Sequence, residues 1–313
     1  MEKENYTPRT LQEAIVHYSN PDNALAFMIR LRWPDGITCP RCGSCEHSFL
    51  TTRRVWKCKG CKKQFSVKVG TIFEDSPLGL NTWLAAVWLI TNAKNGVSSC
   101  EIARALGITQ KSAWFVLHRI RIAMETGTIE KLKGQVEADE TYIGGKYGNM
   151  HRIKRAQKEQ GRGAVGKVIV MGFLERDGAV RAKVVKSIKK TILHAEVRLN
   201  VEAGTELLTD NLASYEGLEP EYTHESVNHA AEQYVRGHVH TNGIENFWSL
   251  LKRTLKGTYA QVESHHLQAY LDEQILRFNL RKGTDKSRFL RVVGGVSGKR
   301  LTYKQLIGRG GNI

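Results

Sequence analysis

The sequence predicts a multidomain fold, with two small N-terminal modules, an α/β domain with a mixed sheet, and a basic C-terminal tail. Three observations support this fold class. Two Cys-x2-Cys pairs lie within residues 39–61, two short segments with helical capping residues follow, and strands alternate with a helix after residue 134. A chain of 313 residues is long enough for two or three domains. The predicted boundaries are 1–75, 76–133, 134–280 and 281–313.

The chain is strongly basic, with 47 Lys and Arg against 31 Asp and Glu and a formal charge of +16. Such an excess is typical of proteins that bind polyanions, because Lys and Arg release counterions when they neutralise phosphates. The charge is unevenly distributed, since residues 202–245 contain nine carboxylates and one arginine. This acidic segment is either a solvated face or part of a cation site, and charge alone does not distinguish the two.

The sequence contains no membrane or secretion signal that we recognise. No stretch approaches the roughly 18 apolar residues of a membrane span, and the first residues lack the basic-then-apolar pattern of a signal peptide. Five of the six cysteines lie between residues 39 and 61. That clustering indicates a metal site in a reducing compartment rather than a disulfide framework. We therefore expect a cytoplasmic protein with no membrane partner.

The first module is predicted to be a zinc ribbon. Two thiolates separated by two residues in a tight turn can bind one Zn²⁺, and two such turns complete a tetrahedron. The predicted ligands of this single structural ion are Cys39, Cys42, Cys58 and Cys61. Cys45 also forms a Cys-x2-Cys pair with Cys42, so it stays a spare or alternative ligand.

The ribbon also carries a run of basic residues with no acidic one between residues 53 and 68. Phosphate contact is the natural inference, with Arg53, Arg54 and Lys57 as candidates. Solubility or protein contact is the alternative, because ribbons often use lysines in those ways.

The second module has the pattern of a helix-turn-helix. Ser98 or Ser99 can cap a first helix, Gly107 permits a sharp turn, and Thr109 can cap a second helix. Residues at the start of the second helix are placed to meet base edges in the major groove of DNA. The candidate DNA-binding residues are Thr109, Gln110, Lys111 and Ser112. A plain helical hairpin is the alternative reading of this pattern.

The pattern of the third region predicts an α/β domain. A strand contains Asp139, a hairpin turns at Asp177-Gly178, a helix spans residues 191–201, and a further strand ends at Asp210. We expect Asp139 and Asp210 to lie on neighbouring strands of one sheet. A carboxylate on a buried strand is costly unless it is paired or bound to metal. Glu140 is expected to point away from Asp139, because strand side chains alternate.

A third carboxylate, Glu245, lies on a helix predicted from about Gly243 to Leu255. Lys252 is seven residues further on, so it shares a face with Glu245. Three carboxylates from two strands and one helix can hold two Mg²⁺ ions for in-line phosphoryl transfer. Lys252 can contact a phosphate beside them.

The motifs RWPDGITCPRCG, ADETYIGGK, LLTDN and HTNGIENFWSLLKRTLKGTY resemble those of the DDE transposases of bacterial insertion sequences, in the ISXO2-like group with an N-terminal zinc ribbon. The resemblance implies a ribonuclease-H-like catalytic core, Mg²⁺ dependence, and cutting and joining of DNA at the ends of the element. Carried over by position, its catalytic residues are Asp139, Asp210, Glu245 and Lys252. Asn242, His238 and His240 lie near Glu245 in the sequence and can assist or substitute for this third acid.

The function predicted from the sequence is a DNA transposase that cleaves and transfers strands with two Mg²⁺ ions and carries one Zn²⁺. Its expected partner is double-stranded DNA, both element ends and target, bound by a homodimer or larger assembly in the nucleoid. Two alternatives differ in class. One is a non-catalytic DNA-binding regulator, and the other is a metal-dependent nuclease on the same fold.

Overall fold

The computed structural model describes residues 6–125, 127, 130–144, 166–227 and 237–308. Its helices are α1 (Leu11–Ser19), α2 (Pro21–Arg32), α3 (Leu80–Asn92), α4 (Ser99–Leu106), α5 (Gln110–Met124), α6 (Lys190–Asn200), α7 (Asn242–Thr254), α8 (Leu267–Asn279), α9 (Asp285–Gly294) and α10 (Tyr303–Leu306). Its strands are β1 (His47–Leu50), β2 (Val55–Cys58), β3 (Gln64–Phe65), β4 (Gln135–Ile143), β5 (Val168–Glu175), β6 (Val180–Val185), β7 (Glu206–Asp210) and β8 (Thr223–Val227). The chain divides into two compact units, residues 1–125 with 282–313 and residues 126–281.

The ribbon in the first unit is a three-stranded antiparallel sheet in the order β1-β2-β3. Trp56 and Phe65 are buried on this sheet with their ring centroids 5.7 Å apart. Trp33, at the end of α2, packs edge-on against Trp56 at 5.5 Å. These aromatic contacts supply the apolar core that a short ribbon otherwise lacks.

Helices α4 and α5 are capped as their sequences predict. Ser98 and Glu101 form a reciprocal capping box at the start of α4. Gly107 ends α4 with a φ of 64°, a left-handed conformation that glycine adopts without steric cost. The Thr109 side chain accepts a hydrogen bond from the Ser112 N–H at the start of α5. The chain therefore reverses sharply between two well-capped helices.

The C-terminal segment differs from the basic tail predicted over 281–313. Helix α9 packs against α3 in the first unit. Phe289 stacks on Phe27 at 5.8 Å and lies 4.8 Å from Trp88. Val292 and Val293 follow Phe289 at helical spacing and are buried with it. Because basic residues surround these apolar ones, the composition of the segment does not reveal the apolar face. The last part of the predicted tail, 309–313, lies outside the described residues.

The second unit is built on a mixed five-stranded sheet in the order β6-β5-β4-β7-β8. Strands β4, β5 and β6 pair antiparallel, whereas β7 and β8 run parallel to β4. The predicted hairpin at Asp177-Gly178 is confirmed between β5 and β6. The predicted neighbourhood of the first strand and the strand ending at Asp210 is also confirmed, since β4 pairs with β7.

Helices cover both faces of this sheet. Val136 and Ala138 of β4 pack with Leu193 of α6 on one face. On the other face, a second apolar cluster joins Ile244 of α7 to Leu271 of α8. Because side chains alternate along a strand, the odd-numbered residues of β4 point toward α7.

Candidate functional site

The four predicted zinc ligands lie together at the end of the ribbon. Their sulfur atoms are all within 4.8 Å of one another. The Sγ atoms of Cys39 and Cys61 are 3.8 Å apart, and those of Cys42 and Cys58 are 3.5 Å apart. A tetrahedral Zn²⁺ with bonds of about 2.3 Å requires sulfur atoms about 3.8 Å apart. The thiol geometry therefore fits a zinc ion.

The surroundings of the cysteines favour one thiolate of the four. A hydrogen bond from the backbone N–H of Cys61 lowers the pKa of Cys58 to about 6, whereas the pKa of Cys42, whose sulfur lies 3.5 Å away, is raised to about 11. Cys45 is exposed and lies outside the group of four sulfur atoms. The alternative pairing of Cys42 with Cys45 is therefore not the arrangement found.

The carboxylates of the second unit converge from three elements. Asp139 lies on β4 and Asp210 at the end of the neighbouring β7, on the sheet face that Glu245 of α7 approaches. Burial raises the pKa of Asp139 to about 6, and the charges of Asp210 and Glu245 add to the increase. These three acids are close enough to repel one another, so a bound cation would relieve both burial and repulsion.

Asp139 is held in place by the helix opposite it. The indole Nε1 of Trp248 donates a hydrogen bond to Asp139 Oδ2 at 2.9 Å. Gly172, which pairs with Asp139 across β4 and β5, leaves room for this ring. A Cβ atom at Gly172 would lie 2.5 Å from the indole. This contact joins residues 109 positions apart, so no local sequence pattern predicts it.

The start of α7 is fixed by Glu137, a carboxylate that is only 1% exposed. Glu137 Oε2 accepts a hydrogen bond from the backbone N–H of Ile244 at 2.9 Å, and its Oε1 pairs with Arg176 Nε at 3.1 Å. Arg176 also donates to the backbone oxygen of His240 at 3.1 Å. The sequence signal for this anchor is a second carboxylate two residues before Asp139, because that spacing places both side chains on the same face of β4. Together these bonds tie α7 to β4.

Glu245 and Lys252 lie on the exposed side of α7, as their spacing predicts. The hydroxyl of Thr241 donates to Glu245 Oε1 at 2.9 Å, which orients that carboxylate at the first turn of the helix. Lys252 is two turns further on and open to solvent. This side of the helix therefore presents an acid and a cation to one region.

Glu140 faces away from Asp139, as expected from strand alternation. It accepts a hydrogen bond from the hydroxyl of Tyr215, which is fully buried. Burial raises the pKa of Glu140 to about 8, and the charges of Asp139 and Asp210 contribute. Glu140 is thus half-buried on the opposite face of the sheet.

A second polar group lies at the other end of β7, four residues before Asp210. Ligand atoms of Glu206, Glu225 and His238 lie within 4.8 Å of one another. Glu206 already bonds to His238 at 2.6 Å and to Gln135 at 2.7 Å. Within the described residues, the three predicted catalytic acids do not form such a compact group.

Comparison with known proteins gives two matches along the chain. Residues 131–279 match the ISXO2-like transposase domain, and residues 19–64 match the transposase zinc-ribbon domain. The resemblance to ISXO2-like transposases with an N-terminal zinc ribbon is thus confirmed over these two segments. It is also 26% identical over 262 residues to an uncharacterized protein in transposable element ISH50 of Halobacterium salinarum, covering 79% of this chain and 87% of that relative. The first match contains all four predicted catalytic residues, and the second contains all four cysteines.

The candidate DNA contacts of the ribbon have different surroundings. Arg53 and Lys57 are exposed, whereas Arg54 Nε pairs with Asp22 at 2.9 Å. Lys68, at the end of the basic run, donates to the backbone oxygens of Ser76 and Leu78 at 2.7 and 3.0 Å. Lys68 therefore stabilises the loop before α3, whereas Arg53 and Lys57 retain exposed charges.

The four candidates on α5 form the outer end of that helix. Thr109, Gln110 and Lys111 are exposed, and Ser112 is half-buried. The Gln110 side chain donates to Ser99 Oγ at 2.8 Å. Among the described residues, no helix combines the length and apolar character that crossing a membrane requires.

Proposed function

We propose that this transposase cleaves DNA at the ends of an insertion sequence and joins those ends to target DNA by two-metal phosphoryl transfer. The observation that carries the proposal is the convergence of Asp139, Asp210 and Glu245 on one face of the sheet. The raised pKa of Asp139 supports it, because the cause is burial among like charges. Strongly perturbed carboxylates of this kind mark functional sites.

The sheet topology supports a ribonuclease-H-like catalytic core. Three antiparallel strands are followed in the sheet by two strands parallel to the first, with helices on both faces. This arrangement agrees with the core that the sequence resemblance implies. In such a sheet, acids at adjacent central strands face a helix that can contribute a third acid.

The donor atoms suit Mg²⁺, which prefers carboxylate oxygens and keeps part of its water shell for substrate. Asp139, Asp210 and Glu245 would hold the ions. Bound Mg²⁺ would activate a water or a DNA 3′-hydroxyl and stabilise the leaving oxygen. Trp248 would keep the Asp139 carboxylate oriented, and Lys252 would contact a phosphate beside the acids.

DNA recognition is assigned in this proposal to the ribbon and to α4 and α5, which would act as a helix-turn-helix. The exposed first turn of α5 supports this role, because recognition helices use that end. Joining two ends requires two copies of the site, so we propose at least a dimer on DNA. Its place of action would be the nucleoid in the cytoplasm.

A strand-transfer assay with full-length protein, an end-containing duplex, target DNA and Mg²⁺ tests the proposal. We expect Asp139→Asn and Asp210→Asn to lower the rate of joining by about a thousandfold or more, since each removes a metal ligand. Glu206→Gln is the matched control. It neutralises a carboxylate on the same strand as Asp210 but outside the proposed site.

The outcomes separate the alternatives by class. Joined products that survive both substitutions would overturn the assignment of these acids, and loss with Glu206→Gln instead would move the metal site to the other end of β7. Cleavage without joining would identify a nuclease. Binding of end DNA with neither cleavage nor joining would identify a regulator.

A further inference from the structure

Only the first turns of α5 are open for contact with DNA. Lys111 is exposed, but the helix becomes buried from Val116 onward, and Leu117 and Ile120 are fully enclosed. A DNA duplex that meets this helix must therefore also meet whatever lies beside its first two turns.

The C-terminal segment lies along one side of α5. The ammonium of Lys111 sits 5.0 Å from the ring centre of Tyr303, and the ring of Phe115 meets Tyr303 edge-on at 5.8 Å. One turn later, Arg119 Nε donates to the backbone oxygen of Leu301 at 3.1 Å. Lys111, Phe115 and Arg119 are spaced by four residues, so a single stripe of the helix is covered.

This segment is anchored on both sides of Tyr303. Lys299 Nζ donates to the backbone oxygen of Ile122 at 2.7 Å. Thr302 and Gln305 form a reciprocal capping box, and Leu306 is 5% exposed. Tyr303 and Lys304 lie between these anchors and are exposed. Their positions beside α5 are therefore set by the fold.

We propose that Lys111, Tyr303 and Lys304 form one surface that binds the DNA backbone beside the N-terminal end of α5, where base contacts are expected. This inference rests on the proposed role of α4 and α5 in binding DNA. Stacking on Tyr303 would hold Lys111 in a fixed direction. Lys304 and the Tyr303 hydroxyl are groups that bind phosphate oxygens.

The charge of the segment favours DNA over a second copy of the chain. From Lys286 to the C-terminus the sequence contains no Asp or Glu. Its basic residues are Lys286, Arg288, Arg291, Lys299, Arg300, Lys304 and Arg309. Arg288 and Arg300 pair with Asp285 and Asp75, whereas Lys304 and Lys111 are exposed, so these two lysines supply the charge that attracts phosphates and would repel the same surface of a second copy.

Fluorescence anisotropy of full-length protein on an end-containing duplex and an unrelated duplex, over a salt series, tests the proposal. Lys304→Gln should raise Kd about three- to tenfold on both duplexes and reduce the slope of log Kd against log salt by about one. Tyr303→Ala should weaken binding of both duplexes similarly, and Tyr303→Phe should retain the stacking on Lys111. Lys189→Gln, which removes an exposed charge at the start of α6, is the matched control and should change neither quantity.

The outcomes distinguish this inference from the proposed function. Failure of the unsubstituted protein to bind either duplex would refute the DNA-binding role itself. Weaker binding with Lys111→Gln but unchanged Kd and slope with Lys304→Gln would overturn only the composite surface. A change in self-association without a change in DNA binding would also overturn it. Lys304 is exposed, so its variant keeps the test valid even if Tyr303→Ala does not fold.

Discussion

The zinc centre and the carboxylate site differ in how completely the protein builds them. All four cysteines come from one short segment, and their sulfur atoms already have the spacing that a tetrahedral ion requires. The carboxylates come from β4, β7 and α7, and burial raises the pKa of Asp139, with the charges of Asp210 and Glu245 adding to the increase. The zinc centre is thus formed by one segment and stabilises the fold. The carboxylate site is assembled from three elements, and cations and substrate would complete it.

The largest expected effect breaks the local centre. Cys42→Ser should reduce the zinc content of the full-length protein from one equivalent to near zero, because binding of structural zinc supplies roughly 10 kcal/mol of folding free energy. Cys45→Ser, an exposed cysteine three residues away, should keep its zinc. Elemental analysis after dialysis against a weak chelator measures both. Zinc retained by Cys42→Ser and lost by Cys45→Ser would reverse the assignment of ligands.

The next effect concerns the anchor that assembles the acid site. Glu137→Ala should lower the free energy of unfolding of the second unit by about 3–5 kcal/mol, because Arg176 would lose its buried partner. Glu137→Gln should cost less, since it still accepts the Ile244 N–H. Denaturant titration measures the loss. Glu221→Ala, which removes a partner of the exposed Arg198, should have a far smaller effect, and equal losses would show that Glu137 is not a buried anchor.

The smallest effect tests the close packing behind Asp139. Gly172→Ala should cost about 1–3 kcal/mol, because the added methyl group overlaps the indole of Trp248. Displacement of the ring should also change the tryptophan fluorescence and reduce strand transfer. Gly257→Ala is the control, because a Cβ atom there meets nothing within 4 Å. Unchanged fluorescence and stability in Gly172→Ala would mean that the ring does not depend on this gap.

Many structural elements of the protein could be predicted, because the sequence signals for them are local. The two Cys-x2-Cys pairs, the Asp-Gly hairpin and the capping residues Ser98 and Thr109 each act within a few residues, and the structure has them as predicted. The pairing of Asp139 and Asp210 on adjacent strands followed from the order of strands alone.

The long-range contacts could not be predicted from these patterns. The hydrogen bond from Trp248 to Asp139 depends on Gly172 in a third element, β5. The anchor at Glu137 depends on Arg176, which directly follows β5. The packing of Phe289 against Phe27 and Trp88 was hidden because basic residues dominate the C-terminal composition. Local patterns set the elements, and partners far apart in sequence set the geometry of the site.

The central claim, that Asp139, Asp210 and Glu245 hold catalytic cations, is tested most directly by counting bound ions. Mn²⁺ in place of Mg²⁺ can be titrated into the full-length protein on an end duplex and followed by electron paramagnetic resonance. We predict two bound ions with the unsubstituted protein and with Glu206→Gln, and loss of bound ions with Asp139→Asn, because that substitution removes a proposed ligand. Two ions retained by Asp139→Asn, or ions lost with Glu206→Gln, would contradict the claim.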